Sequence, residues 1–125
     1  MTKSATRVAA DKVTFTQTEV TSAVALKAPI AAPVFTGNVG VGVTPEASSS
    51  SFKTLQIGGG ASIIASATGE NAYFMSNTYR NSSGTESYIL SEQASTLDMY
   101  NGTHRFRVAP SGSADAAISW TTAMT

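Results

Sequence analysis

"TLDMYNGTHRFRV", Thr96 to Val108, writes two strands and the turn between them in one short run. Leu97 and Met99 alternate with Asp98 and Tyr100, and beyond Asn101-Gly102, Phe106 and Val108 alternate with Arg105 and Arg107. Side chains that change character every second residue are the mark of a strand with two unlike faces. Asn-Gly provides two consecutive residues that tolerate positive φ, as a type I′ hairpin turn requires. A hairpin is therefore expected here. The same grammar extends in both directions. Upstream, "KTLQI" ends at Gly58–Gly60, "ASIIASA" ends at Gly69, "NAYFMSNTY" ends at "RNSSGT", and "ESYILSE" leads to "QAS". Downstream, "PSGSAD" reads as a turn and "AAISW" as a last strand. Turn residues spaced by about 8–12 positions predict an all-β meander.

Composition limits what such a meander can do alone. The chain has 125 residues, no cysteine and a formal net charge of zero. Disulfides and thiolate metal sites are excluded, and no broad charged footprint is offered to nucleic acid. No apolar run approaches the ~20 residues of a helical membrane span, so neither nucleic-acid binding nor membrane insertion is expected. Leu, Ile, Val and Phe number only 24, while Ala, Ser and Thr together number 53. Few bulky apolar side chains make a small core marginal. Pooling one core among several copies resolves that shortage, so an oligomer is expected.

Ahead of the strands stands a helix signal, "FTQTEVTSAVALKAP". Thr16 and Glu19 form a T-x-x-E capping box, with Phe15 and Val20 placed as a hydrophobic staple. Val20, Ala23 and Val24 follow the spacing of one helical face, and Pro29 ends the helix. Alternation of Val13, Phe15 and Gln17 would also suit a strand, but cap, staple and stop agree on a helix. Three turns are unstable in isolation. Pro29 to Pro33 should be stiff and extended. In "NVGVGV", Val39, Val41 and Val43 share one strand face, and Gly40 and Gly42 on the other permit close backbone approach. "EASSSSF" is a serine-rich linker.

The run "LKAPIAAPVFTG", residues 26–37, resembles the "LKAPLASPTFTG" segment of tail-fibre proteins of tailed bacteriophages. "NVGVGVTPE" is similar to the "NVGIGTTSP" element of the same fibres, and "RFRVAPSGSADAAISWTTAMT" looks like their β-rich modules. Ala32 and Val34 depart from the usual serine and threonine. Specific matching covers about 20 residues, and general style covers the last hundred or so. The resemblance implies an elongated, intertwined parallel homotrimer, with β-meander modules after a short three-helix bundle. It implies a docking tail at 1–15, a trimeric helix at 16–28, a proline- and glycine-rich connector at 29–52, and a fibre module at 53–125. Met1 reads as the natural start, and the chain is expected to be the proximal part of a longer polypeptide or a short fibre. Expected trimer contacts are Val20, Val24, Leu26, Ile30, Val34, Phe35, Val39, Val41 and Val43. Expected partners are two further copies, tail, baseplate or collar proteins at the N-terminus, and a host glycan or protein at distal parts. The place implied is the virion, after assembly in the bacterial cytoplasm.

Chemistry has little purchase in the sequence. His104 is the one histidine, with no G-x-S-x-G motif, so neither a catalytic triad nor a metal site is expected, nor a cofactor. Glu70, Glu86, Glu92 and Asp98 could pair as in a glycosidase, yet no motif selects a pair, and no enzyme is expected. "GNVGVG" lacks the Lys-Ser/Thr of a phosphate loop. Tyr79, Arg80, Tyr100, Arg105 and Arg107 are candidates for glycan contact, but a solvated strand face is the better account of Arg105 and Arg107. Aromatics on strands, including Tyr73, Phe74 and Tyr88, more often pack than bind. The sequons at Asn81 and Asn101 carry no meaning in a bacterially made protein. The expectation is a structural shaft segment of a tail fibre. Its alternatives are a capsid- or collar-attached fibre, or a monomeric carbohydrate-binding β-sandwich.

Overall fold

The computed structural model describes residues 16–25 and 32–125, with side chains given from 16–22 and from 32 onward. The chain divides into two compact units, one through Phe35 and one from Thr36 to Thr125. The second unit thus begins inside the stretch read from sequence as connector.

In the first unit, α1 spans Gln17–Ala25. Its capping box forms as the sequence predicts: the Glu19 amide donates to Thr16 Oγ1 at 3.1 Å, and the Thr16 amide donates to Glu19 Oε2 at 2.7 Å. Two of the orphan donors of the first turn are thereby satisfied. The Thr16 amide, then its hydroxyl, hold the Glu19 carboxyl below the usual carboxylate range. The docking tail 1–15, Phe15 of the staple, Leu26 and Ile30 lie outside the described residues, as does the side chain of Val24.

The second unit is mainly β. Its strands are β1 Val39–Val41, β2 Phe52–Ile57, β3 Ala61–Ser66, β4 Ala72–Ser76, β5 Thr78–Arg80, β6 Glu86–Tyr88, β7 Ala94–Tyr100, β8 Thr103–Ala109 and β9 Thr121–Met124. Seven of them form one sheet in the order β1-β2-β3-β4-β7-β8-β9, and β5 and β6 make a separate two-stranded ribbon. The meander is therefore real but interrupted. Every neighbour in the large sheet is antiparallel except β1, which joins β2 in parallel. This is one broad sheet with a ribbon, not a sandwich of two comparable sheets.

Local chemistry accounts for the joints. Asn101 and Gly102 both take positive φ, 48° and 72°, between the paired residues Tyr100 and Thr103. That is the expected type I′ hairpin. Asn77, at φ 56°, splits "NAYFMSNTY" into β4 and β5. Its side chain accepts from the Leu90 amide at 2.6 Å and donates to the carbonyls of Leu90, Glu92 and Gln93 at 3.0 Å. Asparagine tolerates this left-handed backbone better than most residues, and its bonds hold the ribbon's return path.

Two expectations need correction. "AAISW" is not the last strand. Ala117 makes only an isolated bridge to Ser87, and the final strand is Thr121–Met124. The small Ala116 and Ala117 let this segment lie along the ribbon, where the Tyr88 amide donates to Ala116 O and the Ile118 amide to Glu86 O. Nor does Val43 continue the face of Val39 and Val41. Gly42 takes φ 70°, which ends the strand, and the chain folds back so that the Val43 carbonyl and Pro45 close over Gly40.

The faces of the large sheet run against the usual rule. On the face under the ribbon lie Thr54, Gln56, Ser62, Ile64, Tyr73, Met75, Thr96 and Asp98, all buried. Ser62 Oγ donates to Thr78 O of the ribbon at 2.7 Å. Two small clusters supply the apolar core, Ile64, Tyr73 and Met75 in one, Tyr88, Ala94 and Ala109 in the other. The opposite face carries the exposed Val41, Ile57, Ile63, Phe74, Phe106, Val108 and Met124. The covered face mixes polar side chains with a small apolar core, and most of the large apolar side chains stand on the bare one.

Candidate functional site

The covered face holds a chain of alternating charges. Asp98 on β7 is fully buried and accepts from Thr96 Oγ1 at 2.7 Å, from Arg105 Nη2 at 3.2 Å and from Arg107 Nε. Arg107 then turns Nη1 and Nη2 to Glu86 of the ribbon, both at 3.1 Å. Arg80 Nη2 reaches the same carboxylate at 2.5 Å, and Trp120 Nε1 donates to it as well. The order Arg105–Asp98–Arg107–Glu86–Arg80 gives every charge a partner of opposite sign. Unpaired, each would pay a large desolvation penalty here. Burial works against the Arg107 cation, but the carboxylates of Asp98 and Glu86 outweigh it and raise its pKa.

Each guanidinium also lies over a ring. Arg80 stands 4.4 Å from the centroid of Phe52 and 4.6 Å from that of Tyr73, Arg105 stands 4.7 Å from Tyr100, and Arg107 stands 4.6 Å from Trp120. Such cation–π contacts are stronger where water is excluded. A cleft of about 490 Å³ opens among Tyr73, Arg80, Tyr100, Arg105 and Arg107. Of the five residues predicted for glycan contact, Arg80, Tyr100, Arg105 and Arg107 converge on it. Tyr79 does not; it is buried, with its hydroxyl donating to Asp115 at 2.8 Å. The reading of a solvated face is corrected for Arg107, whose side chain is only 12% exposed, whereas Arg105, at 32%, keeps part of its contact with solvent. Charge on alternate residues marked a common face, but only the buried Asp98 opposite explains why that face turns inward.

Burial, and then the bond to Asp115, push the Tyr79 phenol up to about 12. The fold holds the neutral form, so this contribution is complete below the ordinary pKa of 10.0 and fades as pH climbs from there toward 12. Tyr79→Phe cannot ionise and is expected to flatten the loss of melting temperature across that window. Burial also raises Tyr73, so part of the slope should remain. A slope identical to wild type would exclude Tyr79 as its source.

The bare face is organised as well. Strand register lines up one residue from each strand in a straight row: Val39, Leu55, Ile63, Phe74, Leu97, Phe106 and Met124. All seven are large and apolar. The next row reads Val41, Ile57, Ala61, Ser76, Ser95, Val108 and Thr121, small at the three middle strands. The result is a ridge beside a hollow of about 520 Å³. Of the predicted trimer contacts, Val39 and Val41 sit on this face, Val43 does not, and Val20, Val34 and Phe35 are exposed in the first unit. The other ridge residues were missed. Their signal was present in the alternation of "KTLQI", "ASIIASA" and "TLDMY", but alternation alone does not say which face is left uncovered.

Of the acidic residues weighed for catalysis, two are brought to one arginine and two stand apart. Glu86 and Asp98 share Arg107, whereas Glu70 and Glu92 are exposed, as is His104. Among the described residues no group of three or more His, Cys, Asp or Glu could hold a metal ion, and no helix is long and apolar enough to cross a membrane. No protein-family model, curated protein or solved structure matches the chain.

Proposed function

We propose that the chain is a structural segment of a bacteriophage tail fibre, a homotrimeric shaft linking the virion to a receptor-binding tip. One observation carries the self-association: the sheet leaves bare a face that carries Val41, Ile57, Ile63, Phe74, Phe106, Val108 and Met124. Single chains in water rarely expose a large contiguous apolar patch without a partner for it. The capped helix adds to this, because a nine-residue helix with Val20 51% exposed has little to hold it alone. The "LKAPIAAPVFTG" resemblance supplies the fibre and the virion; the bare sheet supplies the need for copies. The role is mechanical, with no reaction assigned to any residue.

Mass in solution tests it. Light scattering on the purified chain should give three times 12.9 kDa. A folded species of 12.9 kDa would overturn the shaft reading and favour the carbohydrate-binding alternative, with the arginine-lined cleft as its contact.

A further inference from the structure

We infer that the ridge and hollow of the bare sheet face are the contact between copies of this chain, the ridge of one seated in the hollow of the next. The inference rests on the homotrimer reading and says where its main contact lies. Three observations single out a second copy as occupant. First, neither row holds an ionisable residue; Lys53 and His104 stand only on the row beyond, so the face offers nothing for a charged partner to recognise. Second, bulk and deficit lie side by side on the same strands. The ridge peaks at Phe74, flanked by Ile63 and Leu97, and the hollow deepens at Ala61, Ser76 and Ser95 beside them. Each copy thus brings both halves of the joint, and a ring of copies can close with no half left over.

Third, the face accounts for the composition, because the bulky residues missing from the chain's own core stand on this ridge. Seven strands at ~4.8 Å and about five residues at ~3.4 Å give a footprint of roughly 600 Å². A ring divides it between two neighbours, roughly 300 Å² for each, so closure by all copies rather than any one pair holds the joint, a pairwise complex needing ~800 Å² from each partner.

The chain has no cysteine, so single thiols report cleanly. Ser76→Cys places one in the hollow, and Asn101→Cys places one at the exposed hairpin tip as a reference. In the native full-length assembly, the Ser76→Cys thiol should react with a maleimide about tenfold more slowly than the reference or less, and the difference should vanish in urea. Phe74→Glu should reduce the wild-type mass to 12.9 kDa or abolish folding. Equal labelling rates in a wild-type-sized trimer would overturn this contact and leave the homotrimer standing. So would protection that appears only after host-cell material is added. A monomeric wild-type chain would overturn both.

Discussion

Asp98→Ala is expected to lower unfolding stability by about 3–5 kcal/mol, the range for breaking a buried ion pair from one side. The carboxylate is fully buried, and its loss leaves Arg105 with no anionic partner and Arg107 with Glu86 alone. The Thr96 hydroxyl would lose its acceptor too. Denaturant unfolding at a fixed chain concentration measures the effect, since association would otherwise shift the midpoint. Adding Arg105→Ala to Asp98→Ala should cost less than the sum of the two changes, because part of the single loss is the stranded cation. A midpoint within about 0.5 kcal/mol of wild type would mean that the covered face is not held by its charges.

Gly40→Ala should destabilise by about 2–3 kcal/mol, in the range of an overpacked site that cannot relax. A Cβ there would overlap the Val43 carbonyl oxygen and lie 2.8 Å from Pro45 Cδ. The oxygen is backbone and the proline ring is stiff, so neither can swing aside. The returning segment is also tied down, with Asn38 Nδ2 donating to Glu46 O at 3.1 Å and the Glu46 amide donating to Gln56 Oε1 at 2.8 Å. Gly42→Ala should cost about 1–2 kcal/mol through its left-handed φ of 70° alone. Gly37, with open space around it, should accept alanine at no cost. If all three alanine variants melted together, the fold-back over Gly40 would be wrong.

These two sites differ in how far the sequence reveals them. Alternating valine and glycine announced a close approach, but not that Gly40 needs space while Gly42 needs a backbone angle. The Asp98 cluster was less visible still. Its partners come from β6, β8 and the segment before β9, and nothing within "TLDMY" points to Glu86 or Trp120. Misplacement of the last strand has the same root, because "AAISW" and "TTAMT" are equally plausible edge strands until the ribbon claims the first of them.

Sequence alone determined what depends on neighbours along the chain. The helix start is set by a side chain three residues away, the hairpin by two residues that accept positive φ, and the β class by alternation and turn spacing. Only the tertiary structure decided which face of the alternation is covered. A period of two defines two faces but is symmetric between them, and the transfer of apolar surface out of water normally breaks the tie. Here the ribbon lies over the face that holds Ile64, Tyr73 and Met75 and brings Glu86 and Arg80 to Arg107 and Asp98, partners distant in sequence that no single strand reveals.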